Sequence, residues 1–388
     1  MRILFHCVYF PPEVGGLESH VYYLCRGLAE RGHDVEVVTS RSQEGLAPHE
    51  VRSGIQVWRT WLPARNAIGW VTHALASVPR TRELARRADV IHAQAFQSVL
   101  PCQVARGRRR IPLVTTLHTS HFLKLATKGW ARPGLARLIR MADHNFAASK
   151  EIAEVAMGLS KGVNVEALAN GVDTSFFKPT GGHQREGTAK GRDRAGPERR
   201  ADGETLRLVA PRRLFHKNGV EYLIRAMPDI LARIPAELVL IGDGPEGPRL
   251  RALAAELGVS QHIEFLGSRP HAEMPGLLSA CHLAVFPSLM EATSVGALEA
   301  MACQLPVAAS DVGGLPEIVD ETVGTLFPSA DPSALAEAVV RLVREGNLRE
   351  KGQRARERVV ERWSNNRLVD RHLQVYERLL AGAPVDAT

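Results

Sequence analysis

Residues Pro287 to Glu317, PSLMEATSVGALEAMACQLPVAASDVGGLPE, predict a parallel α/β fold. An apolar strand over 282–286 ends at Pro287, and a short polar turn, Glu291-Ala-Thr-Ser, leads into a helix rich in Ala, Leu and Met. A second apolar strand over 306–309 then runs into Ser-Asp-Val-Gly-Gly. In sheets of this kind the turns from strand to helix lie at the carboxyl edge, where ligands bind.

The start of this helix suits a diphosphate, because it offers backbone N–H groups and the positive end of the helix dipole. Glu299 lies about five residues into the helix, which at ~1.5 Å per residue is ~7–8 Å beyond the phosphates. That spacing matches the distance from a diphosphate to its ribose, whose two hydroxyls a carboxylate can bind. Glu291 precedes the helix, on the side where a sugar would lie. We interpret the stretch as a binding site for a nucleotide sugar.

The rest of the chain alternates strands and helices on both sides of one polar segment. Its 388 residues are too many for a single core and favour two domains. We expect an amino-terminal α/β domain over 1–179, a flexible linker over 180–204 that is dense in Gly, Arg and Glu, and a second α/β domain over 205–362. The charged segment near the carboxyl end is expected to add a helix, about 363–380, to the first domain.

Composition indicates a cytosolic protein without a transmembrane helix. The five cysteines form no CxxC pair and mostly lie in apolar stretches, which favours reduced thiols in the core. No run of residues approaches the ~18 apolar positions that a membrane-spanning helix needs. The apolar first ten residues are followed by Pro11-Pro12 and lack a small-residue cleavage site, so they predict a strand rather than a signal peptide.

The net charge of +7 is unevenly distributed. Residues 1–179 hold 23 Lys and Arg against 14 Asp and Glu, whereas residues 180–388 hold 26 against 28. Basic residues cluster at 106–110 and between 124 and 140, and four tryptophans lie in the same half. This pattern is compatible with a solvated basic face, with an acidic acceptor, or with an anionic membrane surface. Nucleic acid is less favoured, because no recognisable nucleic-acid-reading module accompanies the charge.

Two features of the first half are further candidates for function. Gly15-Gly16 lies between the first strand and the first helix, where paired glycines let the backbone approach a ligand but also make ordinary turns. His118 directly follows the strand LVTTL, so it is placed either to donate to a sugar hydroxyl or leaving phosphate or to serve the structure alone.

A glycine motif, Gly242-Asp-Gly-Pro-Glu-Gly247, offers a different function. It lies between a strand and a helix and has Glu264 downstream, which is typical of a dinucleotide-binding oxidoreductase. Two features weigh against this alternative. The motif follows the second strand of its domain rather than the first, and Pro245 and Pro248 stiffen the turn that would wrap a pyrophosphate.

The chain as a whole resembles the family-4 retaining glycosyltransferases, which have the GT-B architecture of two facing Rossmann-like domains with parallel sheets and an interdomain cleft. The resemblance covers nearly everything except the linker and is specific in its order and spacing. The residues that carry it are Gly15-Gly16-Leu-Glu18, Asn170-Gly-Val-Asp173, Arg213 with Lys217, Gly242-Asp-Gly-Pro245, Phe265-Leu-Gly267, Pro287-Ser288, Glu291 with Glu299, and Gly313-Gly-Leu-Pro-Glu317.

The resemblance implies a role for each matching residue. Arg213 and Lys217 are expected to neutralise the diphosphate, Glu291 to hold hydroxyls of the donor sugar and Glu299 those of the ribose. His118 falls where the family keeps a histidine near the transferred sugar. The implied catalytic set is therefore His118, Arg213, Lys217 and Glu291. The other implied donor contacts are Gly15 and Gly16 at the phosphates, Thr293, Ser294 and Val295 at the helix start, and Gly267, Ser268 and Arg269 along the base.

Two positions depart from the family pattern. The usual lysine directly precedes a glycine, whereas here Asn218 has that place and Lys217 comes one residue earlier. After Glu291, Ala-Thr-Ser stands where Gly-Phe-Gly is common, so the sugar cannot be named by analogy.

Together with the resemblance, these observations predict a retaining transferase. It would move a sugar from a nucleoside-diphosphate sugar to an acceptor hydroxyl on a glycolipid, polysaccharide precursor or small molecule. The folded domains contain no Asp-x-Asp, so we expect no obligatory metal and no cofactor besides the donor substrate. The basic half predicts weak attachment to anionic membrane, at its inner face. The alternatives are an NAD(P)-dependent oxidoreductase built on Gly242–Gly247 and a non-catalytic binder of nucleotide sugars.

Overall fold

The chain forms two compact units in a computed structural model that describes residues 1–13, 16–118, 120–180, 205–291 and 294–383. The first unit comprises Met1–Gly171 and Asn365–Thr388, and the second comprises Val172–Ser364. Beyond Thr180, the segment that we interpret as a linker lies outside the described residues. Among those that are described, no helix combines the length and the apolar character needed to cross a bilayer.

The first unit is built around an eight-stranded sheet in the order β3-β4-β2-β1-β5-β6-β7-β8. All neighbouring pairs are parallel except β3 with β4, which form an antiparallel edge. The strands are β1 Arg2–His6, β2 Asp34–Ser40, β3 His49–Arg52, β4 Ile55–Thr60, β5 Val90–Gln94, β6 Leu113–Leu117, β7 His144–Ala147 and β8 Val165–Ala167.

Helices cover both faces of this sheet, as parallel strands that are buried on both sides require. They are α1 Gly16–Glu30, α2 Ala67–Ala85, α3 Val99–Arg106, α4 Ser120–Ala126, α5 Arg132–Met141 and α6 Lys150–Leu159, and the last helix of the chain, Asn365–Leu380. That last helix packs against α1, and its Val369, Val375 and Tyr376 are buried with the apolar side chains of β1 and β2.

The second unit has a six-stranded, fully parallel sheet in the order β11-β10-β9-β12-β13-β14. Its strands are β9 Leu206–Pro211, β10 Ala236–Ile241, β11 Ile263–Gly267, β12 Leu283–Phe286, β13 Val307–Ser310 and β14 Gly324–Phe327. Its helices are α7 Val220–Leu231, α8 Gly247–Glu256, α9 Met274–Ser279, α10 Val295–Ala302, α11 Leu315–Ile318, α12 Pro332–Arg344 and α13 Leu348–Arg362, which makes the last helix of the chain α14. The predicted class, α/β with two Rossmann-like parallel sheets, is confirmed.

The strand order of the second unit determines where a ligand can bind. The chain leaves β9 toward β10 on one side, and β12 lies on the other side of β9. The turns that follow β9 and β12 therefore diverge and leave a crevice at the carboxyl edge, the usual ligand position in open α/β sheets.

The cysteines are confirmed as core thiols. All five are buried and none forms a disulfide. Burial raises the pKa of the Cys7, Cys281 and Cys303 thiols to about 12, so they remain protonated at neutral pH.

Candidate active site

The loops after β9 and β12 are joined by an ion pair in the crevice of the second unit. Arg212, the first residue after β9, places Nη2 2.6 Å from Oε2 of Glu291 in the loop after β12. The side chains are 11% and 16% exposed, so the pair is largely shielded from solvent. Sequence reasoning chose Glu291 but missed Arg212.

Arg212 also binds several neutral groups around the same crevice. Its Nη2 donates to Oγ of Ser288 at 2.7 Å and to Oδ1 of Asn218 at 3.0 Å. Its Nη1 lies 3.4 Å from Oγ of Ser294, and its guanidinium carbon is 5.6 Å from the centre of the Phe286 ring. The arginine therefore connects both loops to the start of α10.

Arg213 and Lys217, the two cations that we predict at the diphosphate, have exposed side chains on the surface of the loop after β9. The guanidinium carbon of Arg213 lies 5.6 Å from the centre of the Phe215 ring. The backbone of both residues is held in place: Asn218 donates from Nδ2 to the Arg213 carbonyl at 2.6 Å, and Leu289 N–H donates to the Lys217 carbonyl at 2.9 Å. Asn218, at the position of the usual lysine, is buried and organises the loop.

Helix α10 begins at the crevice, as the sequence predicts. Ser294 is its N-cap and accepts the Ala297 N–H at 3.4 Å, and Val295 is its first residue. The cap leaves other N–H groups of the first turn available to an anion. Thr293 lies outside the described residues, so its predicted phosphate contact cannot be placed.

Glu299 is the fifth residue of α10, and its side chain is 17% exposed. Nε2 of His271 lies 3.7 Å from Oε1 of Glu299. The imidazole of His271 in turn stacks on Phe176, with ring centres 5.0 Å apart and planes 5° from parallel. An aromatic wall therefore stands beside the carboxylate that we assign to ribose. No motif in the sequence pointed to His271 or Phe176.

The residues that we predict along the base lie at the end of β11 and just beyond it. Gly267 has φ +67°, and its carbonyl accepts the Gly242 N–H at 2.8 Å. Ser268 and Arg269 are exposed, and Nη1 of Arg269 lies 3.9 Å from Oε2 of Glu273. The structure thus puts all three at the same carboxyl edge as α10.

Glycines allow the crevice loops to pack backbone against backbone. A Cβ on Gly313, which has φ +54°, would lie 1.7 Å from the Glu291 carbonyl oxygen. A Cβ on Gly242 would lie 2.2 Å from the Arg212 carbonyl oxygen, and one on Gly244 would lie 2.4 Å from that of Leu214. The glycine motif at 242–247 therefore supports the loop after β9, and its geometry does not favour the dinucleotide-binding alternative.

The carboxyl edge of the first unit carries His118, which directly follows β6 and is 2% exposed. Burial, together with the nearby His372, lowers the His118 pKa to about 3, so the ring is neutral. Its Nε2 lies 2.8 Å from Oε1 of Gln94, which can only accept, so Nε2 donates and Nδ1 carries the lone pair.

Helix α1 lies beside this histidine. The His20 ring on α1 is 4.8 Å from the His118 ring. Gly16 is the first residue of α1, four residues before His20, whereas Gly15 lies outside the described residues. Within the first unit, Gly16 and His118 therefore belong to one edge of the sheet.

A cavity of about 720 Å³ in the second unit contains none of the predicted site residues. It is lined by residues of α12, by Leu326 and Phe327 of β14, and by Arg233 just after α7. Its Arg341 and Arg344 lie in the last turn of α12, where they complement the negative end of the helix dipole. These arginines have a structural explanation that involves no ligand.

Two protein-family models match the chain. The model described as Glycosyltransferase Family 4 matches residues 14–176, and the model described as Glycosyl transferases group 1 matches residues 192–358. A D-inositol 3-phosphate glycosyltransferase of Acidothermus cellulolyticus is 31% identical over 366 residues, which covers 86% of this chain and 79% of that protein.

Solved structures show the same fold. Sucrose-phosphate synthase from Thermosynechococcus elongatus superposes with a TM-score of 0.84 at 22% identity, covering 98% of this chain and 100% of that one. HepE from Anabaena, solved in complex with UDP and glucose, superposes with a TM-score of 0.74 at 20% identity, covering 97% and 99%.

Proposed function

The chain belongs to the family-4 glycosyltransferases with the GT-B fold, and we propose that it is a retaining enzyme that transfers a sugar from a nucleoside-diphosphate sugar to an acceptor hydroxyl. The observation that carries the proposal is the crevice of the second unit. There Glu291, the Ser294-capped start of α10 and Glu299 follow one another along a single carboxyl edge.

In this proposal the protein stabilises negative charge on the departing nucleoside diphosphate. The N–H groups at Ser294 and Val295 bind the phosphates, and the exposed side chains of Arg213 and Lys217 close over them. Glu299 accepts hydrogen bonds from the ribose, and Glu291 accepts them from the sugar. We further propose contacts from Gly16 to the phosphates and from residues 267–269 to the base.

The reaction proceeds with retention, by attack of the acceptor on the face from which the diphosphate departs. The leaving phosphate takes the acceptor proton. We assign charge neutralisation to arginine, lysine and backbone N–H groups rather than to a metal ion, so EDTA should leave the rate unchanged.

The first donor to test is a UDP-sugar, since the structural neighbour HepE was solved with UDP and glucose. For the acceptor we propose an anionic molecule. The excess of basic residues over 1–179 supports this choice, as does the inositol phosphate in the name of the Acidothermus relative.

Transfer from a panel of UDP-, GDP- and ADP-sugars to inositol phosphate and to neutral acceptors tests the proposal. Glu299→Ala and Arg213→Ala should each lower donor turnover at least tenfold, because each removes an interaction with the donor. The matched control is Arg349→Ala, an exposed arginine on α13, which should leave turnover unchanged. Turnover of both site variants within twofold of wild type would refute the site, and saturable donor binding without transfer or hydrolysis would instead support a non-catalytic binder.

We also propose that the first unit attaches weakly to anionic membrane through an α2–α3 face, defined by exposed Ile68, Val71 and Leu75 on α2 and by exposed Leu100 and Val104 on α3. The two helices pack side by side. Residues 61–110 hold nine arginines against two acidic residues. Apolar side chains flanked by arginines favour the interface of an anionic bilayer.

Co-sedimentation with phosphatidylglycerol vesicles tests the α2–α3 face. Wild type should sediment at low salt and be released at high salt, because salt screens the attraction between arginine and lipid. The double variant Val71→Glu, Leu75→Glu should reduce vesicle binding at least fivefold. The control Val360→Glu, at an exposed position on α13, should not reduce it. Absence of sedimentation at low salt would contradict the membrane proposal.

A further inference from the structure

The Arg212–Glu291 pair is a shielded ion pair at the crevice that the family resemblance does not explain. Motif reasoning assigns the site arginine to position 213, yet the side chain that turns inward is that of Arg212. We propose that Arg212 is a positioning residue that fixes the Glu291 carboxylate and offsets its charge beside the bound diphosphate. This inference rests on the proposed function of the crevice.

The hydrogen bonds of Nη2 tie the Arg212 side chain to the protein. Its Nη2 has two hydrogens and faces three acceptors within 3.0 Å, on Asn218, Ser288 and Glu291. Its Nε is buried without a hydrogen-bond partner among the described residues. Both Nη2 hydrogens are therefore committed to protein acceptors, of which the Glu291 carboxylate is the nearest, at 2.6 Å. Arg213, whose side chain is exposed, is the arginine that we assign to the diphosphate.

The position of Asn218 supports the same division of roles. A lysine at this place would put a flexible ammonium near the phosphates. Asn218 is instead 6% exposed, with its Oδ1 accepting from Arg212 and its Nδ2 donating to the Arg213 carbonyl. The asparagine thus holds one arginine inward while it fixes the backbone of the other.

Electrostatics give Arg212 its effect on the donor. Glu291 carries negative charge close to the start of α10, where the diphosphate is proposed to bind, and like charges in a partly buried site repel strongly. The Arg212 guanidinium cancels that charge at 2.6 Å. Without it, Glu291 would repel the diphosphate and would lose its orientation toward the sugar.

A double-mutant cycle with UDP as the probe tests this role. Arg212→Gln should weaken UDP binding at least tenfold in a calorimetric titration, because it leaves the Glu291 charge uncompensated. Glu291→Gln should change UDP affinity less than threefold. In the double variant, affinity should recover to within threefold of wild type, since the repelling charge is gone. A purely structural role for Arg212 predicts that the double variant binds as weakly as Arg212→Gln, and that result would overturn the proposal.

Thermal unfolding of the same four proteins without ligand tests the pair independently of the donor. Arg212→Gln should lower the melting temperature by several degrees, and adding Glu291→Gln should restore at least half of the loss, because removing one partner of a shielded pair costs more than removing both. Losses that simply add would overturn the pair. If wild type binds neither UDP, GDP nor ADP, the proposed function fails, while the melting temperatures still decide whether Arg212 fixes Glu291.

Discussion

Lowering the pH from 7.5 to 5.5 should reduce the free energy of unfolding of the first unit by an amount similar to the total stability of a typical domain. Seven histidines of this unit are at most 2% exposed, and burial is the main cause that lowers the pKa of each. They are His6, His20, His73, His92, His118, His144 and His372. Where values are resolved, these pKa values are about 3 to 4.

The sign follows from which state binds the protons. In the folded unit the rings stay neutral at pH 5.5, whereas in the unfolded chain each histidine protonates below a pKa of ~6.5. The stability that neutral burial contributes is therefore complete well above the unfolded pKa of ~6.5, and it is lost progressively as the pH falls through and below that value.

The magnitude follows from the same linkage. One pH unit below the unfolded pKa, each buried histidine costs about 1.4 kcal/mol, and seven together cost about 10 kcal/mol. A typical domain is stable by about 5–15 kcal/mol, so the first unit should unfold between about pH 6 and pH 5.

Tryptophan fluorescence during urea unfolding measures this effect, because four of the five tryptophans lie in the first unit and only Trp363 lies in the second. In a Trp363→Phe background the signal reports the first unit alone. The free energy of unfolding should fall steeply between pH 6.5 and 5.5, with uptake of about five or more protons. A change below about 3 kcal/mol between pH 7.5 and 5.5 would show that the histidines are not buried as neutral groups.

Two substitutions test packing, each against a matched control. Gly313→Ala should lower the melting temperature markedly and weaken UDP binding, because its Cβ would lie 1.7 Å from a carbonyl oxygen of the loop after β12. Gly346 also has a positive φ, but a Cβ there would meet nothing within 4 Å, so Gly346→Ala should cost about 1 kcal/mol of stability. Similar losses for both glycines would contradict the close approach. Glu166→Gln should destabilise the first unit by about 3–5 kcal/mol, because Glu166 is 4% exposed and binds Arg371 of α14 through both carboxylate oxygens, at 2.6 and 2.8 Å. Glu30→Gln, in an exposed ion pair, should cost less than about 1 kcal/mol. Equal costs of the two variants in urea unfolding would show that the contact with α14 does not anchor that helix.

The fold was predictable because its signals are local and repeated. Buried parallel strands appear as short apolar runs, and most of them are followed by a helix. One strand escaped because its own residues carry no apolar signal. Strand β3, with the sequence HEVR, has no apolar pattern and exists through its pairing with β4. The break between α13 and α14 lies near position 363, where we expect the last helix to begin, and there the Trp363 carbonyl accepts the Val172 N–H and Ser364 pairs with Val172.

The location of the candidate site could be predicted from the sequence, but only some of its side chains could. The motifs put Glu291, Ser294 and Glu299 around the start of a helix, and the structure has them there, because helix spacing and strand ends follow from periodicity. His271 and Phe176 carry no comparable signal. They meet only because residues far apart in the chain fold onto the same edge.

Arg212 and Arg213 show why a motif can identify a loop without identifying the side chain that acts. Both arginines follow β9, and successive side chains that leave a strand point in opposite directions. One of two neighbouring arginines therefore faces the crevice, and the other faces solvent. That choice is decided by contacts that the motif does not contain. Gly242 packs against the Arg212 carbonyl, and buried Asn218 holds the Arg212 guanidinium and the Arg213 backbone at once. A departure from the family pattern at position 218 therefore bears on the position of two arginines, and exchanging Asn218 for lysine should disturb Glu291 as well as the phosphates.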